Sequence, residues 1–296
     1  MLMTSYSPET LKHLQIVLTR MMDVFVRVCN KYKIKYFVIF GTAIGCVRHH
    51  GFIPWDDDID VGIMWKDYLL LRSIPKSEWA DESNDISLVL CDPSDNNEDH
   101  EYPYPRLYCK DTTLIPESDK SLKPRKRNNT GISYNGFWID LFIFHNFANL
   151  REITKVKKKA ILLRKKYLYC KKKKEIRGES GIIRKVLAIF QNLYNLTVNF
   201  FYKNPEIKIW KKYCSLFYEK GDVISTVDYP YSKCPEKSAL SIDDLFPLVD
   251  GEFNKIKVKL PKEYDRFLKK VYGDYMKLPP AKEQINHAPY VLKFKN

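Results

Sequence analysis

Four carboxylates crowd into five residues at Asp56–Asp60, and this acidic cluster is the strongest constraint on how the chain can fold. Like charges at this density repel one another, and aspartate is depleted in strands. Even so, Asp58–Met64 alternates polar and apolar residues, which predicts a strand with one buried face. A fold that buries this strand must therefore bring compensating positive charge to its acidic end.

The spacing of Asp58 and Asp60 is typical of a site for a divalent cation. Side chains alternate faces along an extended chain, so these carboxylates point the same way, with Cα atoms about 6.5–7 Å apart. Mg²⁺ takes one or two carboxylates together with phosphate oxygens and water, and Mn²⁺ is the alternative. The same alternation adds Asp56 to the predicted metal ligands. An acidic turn paired with neighbouring lysines is the competing structural interpretation.

A predicted strand and a predicted helix meet at Gly41-Thr42, just upstream of the acidic cluster. Lys35–Phe40 is a short apolar run typical of a strand, and Ala43–His49 predicts a short helix. Backbone N–H groups at such a turn, and the N-terminus of the helix, favour an anion. We therefore predict that Gly41 and Thr42 bind a phosphate group and that Arg48 reaches the same anion.

Two long segments carry a resemblance to known proteins. The first is FGTAIGCVRHHGFIPWDDDIDVGI, residues 40–63, which we call the hallmark segment. The second is LPKEYDRFLKKVYGDYMKLPPAKEQINHAP, residues 260–289, which we call the closing block. Both resemble blocks of the LicD family, bacterial enzymes that place phosphocholine on surface glycans and that have fukutin and fukutin-related protein as animal relatives. Because both ends of the chain agree, we interpret nearly the whole chain as one family unit.

The resemblance implies an α+β fold with a nucleotidyltransferase-like mixed β-sheet core, flanked by helices and carrying an inserted or appended basic helical region. It also implies a third carboxylate on a later strand, which Asp140 in GFWIDLFIF matches. Ile143, Phe144 and His145 stand where the family usually reads Pro-Leu-Asp, so the second family acid is replaced by His145. Asp140 would act as a general base on the acceptor hydroxyl, or as a further metal ligand.

The predicted roles toward the donor and its metal ion add Arg106 and His287 to the residues named above. The resemblance implies that Asp58 and Asp60 bind Mg²⁺ and that Arg106, with Arg48, counters the charge of the donor phosphates. His287 matches the late histidine of the family and would line the pocket.

The function implied is metal-dependent transfer of phosphocholine from CDP-choline to a hydroxyl of a glycan precursor, free or lipid-linked, of the lipopolysaccharide, teichoic acid or capsule type. One alternative is transfer of ribitol phosphate or glycerol phosphate from a CDP-alditol. A second is a non-catalytic, membrane-associated scaffold of glycan assembly, against which the intact Asp-x-Asp pair argues. A third is nucleotide addition directed by nucleic acid.

Most of the net charge of +14 lies in one segment, because residues 150–177 hold thirteen basic and two acidic residues. Within it, apolar residues recur at spacings of three and four, which predicts an amphipathic helix with a cationic face; they are Ile153, Val156, Ala160, Leu163, Tyr167 and Cys170. That face has three interpretations: a solvated surface, a docking surface for anionic lipid or lipid-linked substrate, or a nucleic-acid surface. No RNA- or DNA-binding motif accompanies the charge, which argues against nucleic acid.

A helix near the start of the chain is predicted by Ser7 and Pro8, an N-cap and N1 pair. Its apolar stripe, which we expect to be core, consists of Leu11, Leu14, Leu18, Met21, Phe25, Val28 and Tyr32.

The chain divides into three predicted zones. Residues 1–148 alternate helix and strand and form the predicted catalytic core, residues 149–220 form a basic helical region, and residues 221–296 complete the active-site domain. Residues 1–15 show no secretory signal, and no apolar run reaches the about 18 residues that a membrane-spanning helix needs. The seven cysteines are scattered and include no C-x-x-C pair. We therefore expect a cytoplasmic protein, peripheral on the inner face of the membrane.

Overall fold

Helices and strands are mixed along the chain, as in an α+β fold. The computed structural model describes residues 6–92, 105–115, 136–171, 205–216, 221–226, 237, 239–286 and 288–295. Its helices are α1 (Pro8–Tyr32), α2 (Phe40–His49), α3 (Trp65–Arg72), α4 (Leu150–Lys171), α5 (Pro205–Cys214), α6 (Ile242–Leu245) and α7 (Tyr264–Tyr272). Its strands are β1 (Tyr36–Val38), β2 (Asp60–Met64), β3 (Leu88–Cys91), β4 (Arg106–Cys109), β5 (Thr113–Ile115), β6 (Trp138–Phe147), β7 (Val223–Thr226), β8 (Leu240–Ser241), β9 (Val249–Phe253), β10 (Ile256–Leu260) and β11 (Val291–Lys293).

The central sheet is mixed and is organised around β6. Neighbouring strands follow the order β1-β2-β6-β4-β3, and β7 pairs with both β6 and β8. β2 and β6 run parallel, whereas the other neighbours in this sheet pair antiparallel. Two antiparallel pairs, β9 with β10 and β5 with β11, lie beside it. The sheet thus puts β2 and β4 on either side of the first part of β6.

The long helix α1 is fixed by its cap and by its apolar stripe. Ser7 Oγ accepts a hydrogen bond from the Thr10 N–H over 3.1 Å, and Pro8 occupies the first helical position. Leu14, Leu18 and other residues at helical spacing are buried in the main core. The predicted stripe of this helix is therefore confirmed as core.

α4 lies against a second, smaller core. Ile153, Val156, Ala160 and Leu163 are buried there together with Tyr213 of α5. The side chains that continue the predicted stripe, Tyr167 and Cys170, and residues 172–204 lie outside the described part of the chain. No helix in the described ranges combines the length and the apolarity that crossing a bilayer requires.

Three element boundaries differ from those predicted around the acidic cluster. β1 ends at Val38, and α2 begins at Phe40 rather than after Gly41-Thr42. The chain turns abruptly because Phe40 has a φ of 49°, which few non-glycine residues adopt, and its ring packs edge-on against Phe142 at 5.3 Å between centroids. β2 begins at Asp60, so Asp58 precedes the strand instead of belonging to it.

Candidate active site

Three carboxylates meet at one end of the central sheet. One oxygen each from Asp58, Asp60 and Asp140 lies within 4.8 Å of the other two. Asp60 begins β2 and is the direct partner of Asp140 in the parallel register of β2 and β6. The structure thus brings together the two carboxylates predicted from their spacing and the third that the resemblance implied.

The connection between β1 and α2 holds the backbone of Asp60. The Asp60 N–H donates to Thr42 Oγ1 over 2.8 Å, and the Asp60 carbonyl oxygen accepts from the Ile39 N–H over 3.2 Å. Thr42 is 2% exposed, so this hydrogen bond is buried in the fold. The hallmark segment therefore positions its own carboxylate. A contact of Gly41 and Thr42 with donor phosphate stays a prediction.

The position of Asp60 favours its neutral form in the absence of a cation. Burial raises the pKa of Asp60 well above its ordinary value of 3.8, and the negative charges of Asp58, Asp140 and Asp56 raise it further. The positive charge of Arg106 opposes this rise. A divalent cation among the three carboxylates would attract the same oxygens that repel one another, and Mg²⁺ and Mn²⁺ take such hard oxygen ligands. Asp58, Asp60 and Asp140 therefore fit a divalent metal ion.

Both oxygens of Asp140 accept hydrogen bonds from neighbouring side chains. Arg106 Nε donates to Oδ1 over 2.6 Å, and Trp138 Nε1 donates to Oδ2 over 3.0 Å. The Arg106 guanidinium also lies over the Trp138 ring, 4.2 Å from its centroid, and Arg106 is 4% exposed. These two side chains fix the orientation of Asp140. The contact of Arg106 with donor phosphate stays a prediction.

Asp56 lies beside the start of α2 and outside the group of three carboxylates. A Cβ atom added at Gly41 would be 3.1 Å from Asp56 Oδ2, so glycine allows this close approach. A negative charge beside the first turn of a helix interacts favourably with the helix dipole. The role of Asp56 as a metal ligand stays a prediction.

Arg48 connects α2 to the segment that follows α7. Its Nη1 donates to the carbonyl oxygens of Tyr275 and Lys277, and its Nε donates to His49 Nε2 over 2.9 Å. The structure therefore assigns Arg48 a contact between the two blocks that resemble the family, and its role toward phosphate stays a prediction. His287, the remaining predicted pocket residue, lies outside the described residues.

Sequence reasoning missed two contributors to the site. Trp138 lies two residues before Asp140 on the same strand, and this spacing, which puts both side chains on one face, was an available signal. Tyr6 is buried, and its pKa is raised by burial and by the charges of Asp57 and Asp58. Tyr6 comes about fifty residues before the acidic cluster, so nothing in the local pattern indicates this contact.

Comparison with known proteins agrees with the hallmark segment. Residues 33–95, which include Asp58 and Asp60, match the family model described as LicD/FKTN/FKRP, nucleotidyltransferase domain. The chain is 27% identical over 282 residues to lipopolysaccharide cholinephosphotransferase LicD of Haemophilus influenzae, covering 94% of this chain and 96% of that protein.

Two further relatives match over a shorter stretch. An uncharacterised protein of Rickettsia prowazekii is 51% identical over 45 residues, which is 15% of this chain and 17% of that protein. An uncharacterised protein of Rickettsia typhi is 49% identical over 45 residues, which is 15% of each. The resemblance to the LicD family, predicted from the hallmark segment and the closing block, is confirmed by the match to the family model and by the similarity to the Haemophilus influenzae protein.

Proposed function

We propose that this protein is a transferase of phosphorus-containing groups that moves phosphocholine from CDP-choline to a hydroxyl of a surface-glycan precursor. The observation that carries the proposal is the meeting of Asp58, Asp60 and Asp140 in a chain similar, over 94% of its length, to a lipopolysaccharide cholinephosphotransferase. We further propose that it acts in the cytoplasm at the inner face of the membrane, on a free or lipid-linked acceptor.

Different side chains of the site would bind the metal ion and accept the proton of the acceptor hydroxyl. Asp58 and Asp60 would hold Mg²⁺ or Mn²⁺, with Asp140 as a third ligand or as the base that removes the proton from the acceptor hydroxyl. When bound, such a cation would neutralise the diphosphate of the donor and stabilise the departing cytidine monophosphate. Arg106 and Trp138 keep Asp140 in one orientation, since each donates to one of its oxygens.

Ligand-dependent stabilisation tests the donor and the metal together. A ligand that binds only the folded protein at 100 times its Kd raises the free energy of unfolding by about 2.7 kcal/mol. We expect CDP-choline with Mg²⁺ to raise the melting temperature and CDP-choline with a chelator to have a much smaller effect. A larger shift with CDP-ribitol or CDP-glycerol would contradict choline as the head group, and no shift with any donor would contradict the transferase.

Asp58→Asn tests the metal assignment. We expect this variant to lose the Mg²⁺-dependent shift and more than 100-fold of the transfer rate, because one hard ligand is removed from the site. Asp23→Asn, which changes the charge equally on the exposed face of α1, should keep both. Transfer activity that survives in Asp58→Asn would show that the assignment is wrong. Full biological function of an inactive Asp58→Asn protein would instead support the scaffold.

A further inference from the structure

The exposed side of α4 combines positive charges with a leucine. The exposed side chains over residues 151–163 are Arg151, Lys155, Lys158, Lys159 and Leu162, which we call the cationic face. Leu162 follows Lys159 and Lys158 by three and four residues, so these side chains are neighbours on the helix surface. Leu162 is 55% exposed. A large apolar side chain is thus held in solvent among cations.

The fold prevents the cationic face from turning inward. The opposite side of α4 is buried against Tyr213 of α5 and Phe147 of β6 in the smaller core. α5 exposes three further lysines, Lys208, Lys211 and Lys212. Among the residues that the structure describes, the cationic face therefore points away from the protein and is open to another molecule.

We propose that the cationic face docks the protein onto the surface of an anionic lipid bilayer. Lysines near such a surface are attracted to its negative charge, and their aliphatic stems can lie along apolar material while the charged heads reach the headgroups. Leu162 then enters the interface between headgroups and acyl chains. This inference does not depend on the proposed transferase chemistry.

The composition of the cationic face favours lipid over nucleic acid. Proteins that bind single-stranded nucleic acid add aromatic side chains, on which bases stack, to their basic grooves. The described side chains of the cationic face include no aromatic residue, and leucine can neither stack on a base nor hydrogen-bond to phosphate. Against a hydrated nucleic-acid backbone the side chain of Leu162 would stay largely in water, whereas in a bilayer it is removed from water, which is favourable.

Charge neutralisation tests the electrostatic part of the proposal on the full chain. We expect Lys155→Gln/Lys158→Gln/Lys159→Gln to lower the affinity for mixed phosphatidylglycerol and phosphatidylcholine vesicles roughly 100-fold at low salt, as measured by co-sedimentation. The control Lys255→Gln/Lys257→Gln/Lys262→Gln removes the same charge from exposed positions elsewhere and should bind like the wild type. Equal losses in the two triple variants would overturn docking by this face.

A leucine substitution tests insertion and separates lipid from RNA. Leu162→Ser should weaken vesicle binding roughly fivefold to tenfold, because the serine side chain offers no apolar surface that docking could remove from water. The control Leu70→Ser changes a leucine of α3 that is 56% exposed and should have no effect on vesicle binding. Binding to pure phosphatidylcholine should be absent for all proteins. Salt-sensitive binding of an RNA oligonucleotide that outcompetes the vesicles, or unchanged vesicle binding of Leu162→Ser, would contradict the proposal.

Discussion

The orientation of Asp140 is the residue-scale feature that most directly links packing to the proposed chemistry. Trp138 donates to one of its oxygens and supports the Arg106 guanidinium that donates to the other. Trp138→Phe keeps an aromatic ring under Arg106 but removes the N–H donor. We expect the transfer rate to fall roughly tenfold, as the loss of one positioning hydrogen bond worth about 1.4 kcal/mol predicts, with the KM for the donor little changed.

A matched substitution separates this effect from a general loss of packing. Trp79→Phe removes an indole that is 3% exposed and belongs to the 3₁₀ turn Lys76–Trp79. It should lower the melting temperature while leaving the transfer rate of the folded protein unchanged. If Trp138→Phe raises the KM and leaves kcat intact, Trp138 contributes to donor binding rather than to the orientation of Asp140.

The hydrogen bond from the Asp60 N–H of β2 to Thr42 of α2 is the element-scale feature that sets the position of Asp60. Thr42→Val keeps the shape of the side chain but leaves the buried Asp60 N–H without its acceptor. We expect the free energy of unfolding to fall by about 1–3 kcal/mol and the affinity for Mg²⁺ to weaken. Urea unfolding and metal titration of the same preparation measure the two effects.

Thr42→Ser is the control for this prediction because it keeps a hydroxyl at the same position. It should bind Mg²⁺ with nearly wild-type affinity, although a lost methyl group in the core costs about 1 kcal/mol. Equal metal affinities in the valine and serine variants would mean that the Thr42 hydroxyl does not position Asp60.

At the same scale, strands and helices whose apolar residues recur with a clear period could be predicted from the sequence. The residues at which these elements end, and the elements against which they pack, could not. The strand after Asp58 and the stripe of α1 follow from local patterns, because burial of one face imposes its period on the sequence. The start of α2 at Phe40 depends on a positive φ that the contact with Phe142 helps to hold, and this contact joins residues a hundred positions apart. Likewise, Arg106 meets Asp140 through the register of β4 and β6, which no local pattern encodes.

At the scale of the whole molecule, long-range contacts connect the site to both ends of the described chain. Tyr6 lies beside the acidic cluster and its N–H donates to Asn286 Oδ1 over 3.1 Å. Arg48 ties α2 to Tyr275. The hallmark segment and the closing block, far apart in the sequence, are therefore in contact in the fold.

Crowded carboxylates should make the metal-free protein lose stability as the pH rises. The folded-state pKa of Asp60 lies above 3.8, so the folded state holds this proton more tightly than the unfolded state does. The stabilisation is complete below pH 3.8 and is lost as the pH rises through the folded-state pKa, by up to about 1.4 kcal/mol for each pH unit in that window. Asp60→Asn has no proton to lose and should lack this loss.

Urea unfolding with a chelator, from pH 5 to pH 8, measures the difference in stability between the wild type and Asp60→Asn. His145, whose pKa burial lowers to about 3, affects both proteins equally and cancels in the difference. We expect the wild type to weaken relative to Asp60→Asn as the pH rises, and Mg²⁺ to restore the wild type more than the variant, because the cation replaces the missing proton at the carboxylates. A pH-independent difference, or an equal gain from Mg²⁺ in both proteins, would contradict a metal site built on Asp60.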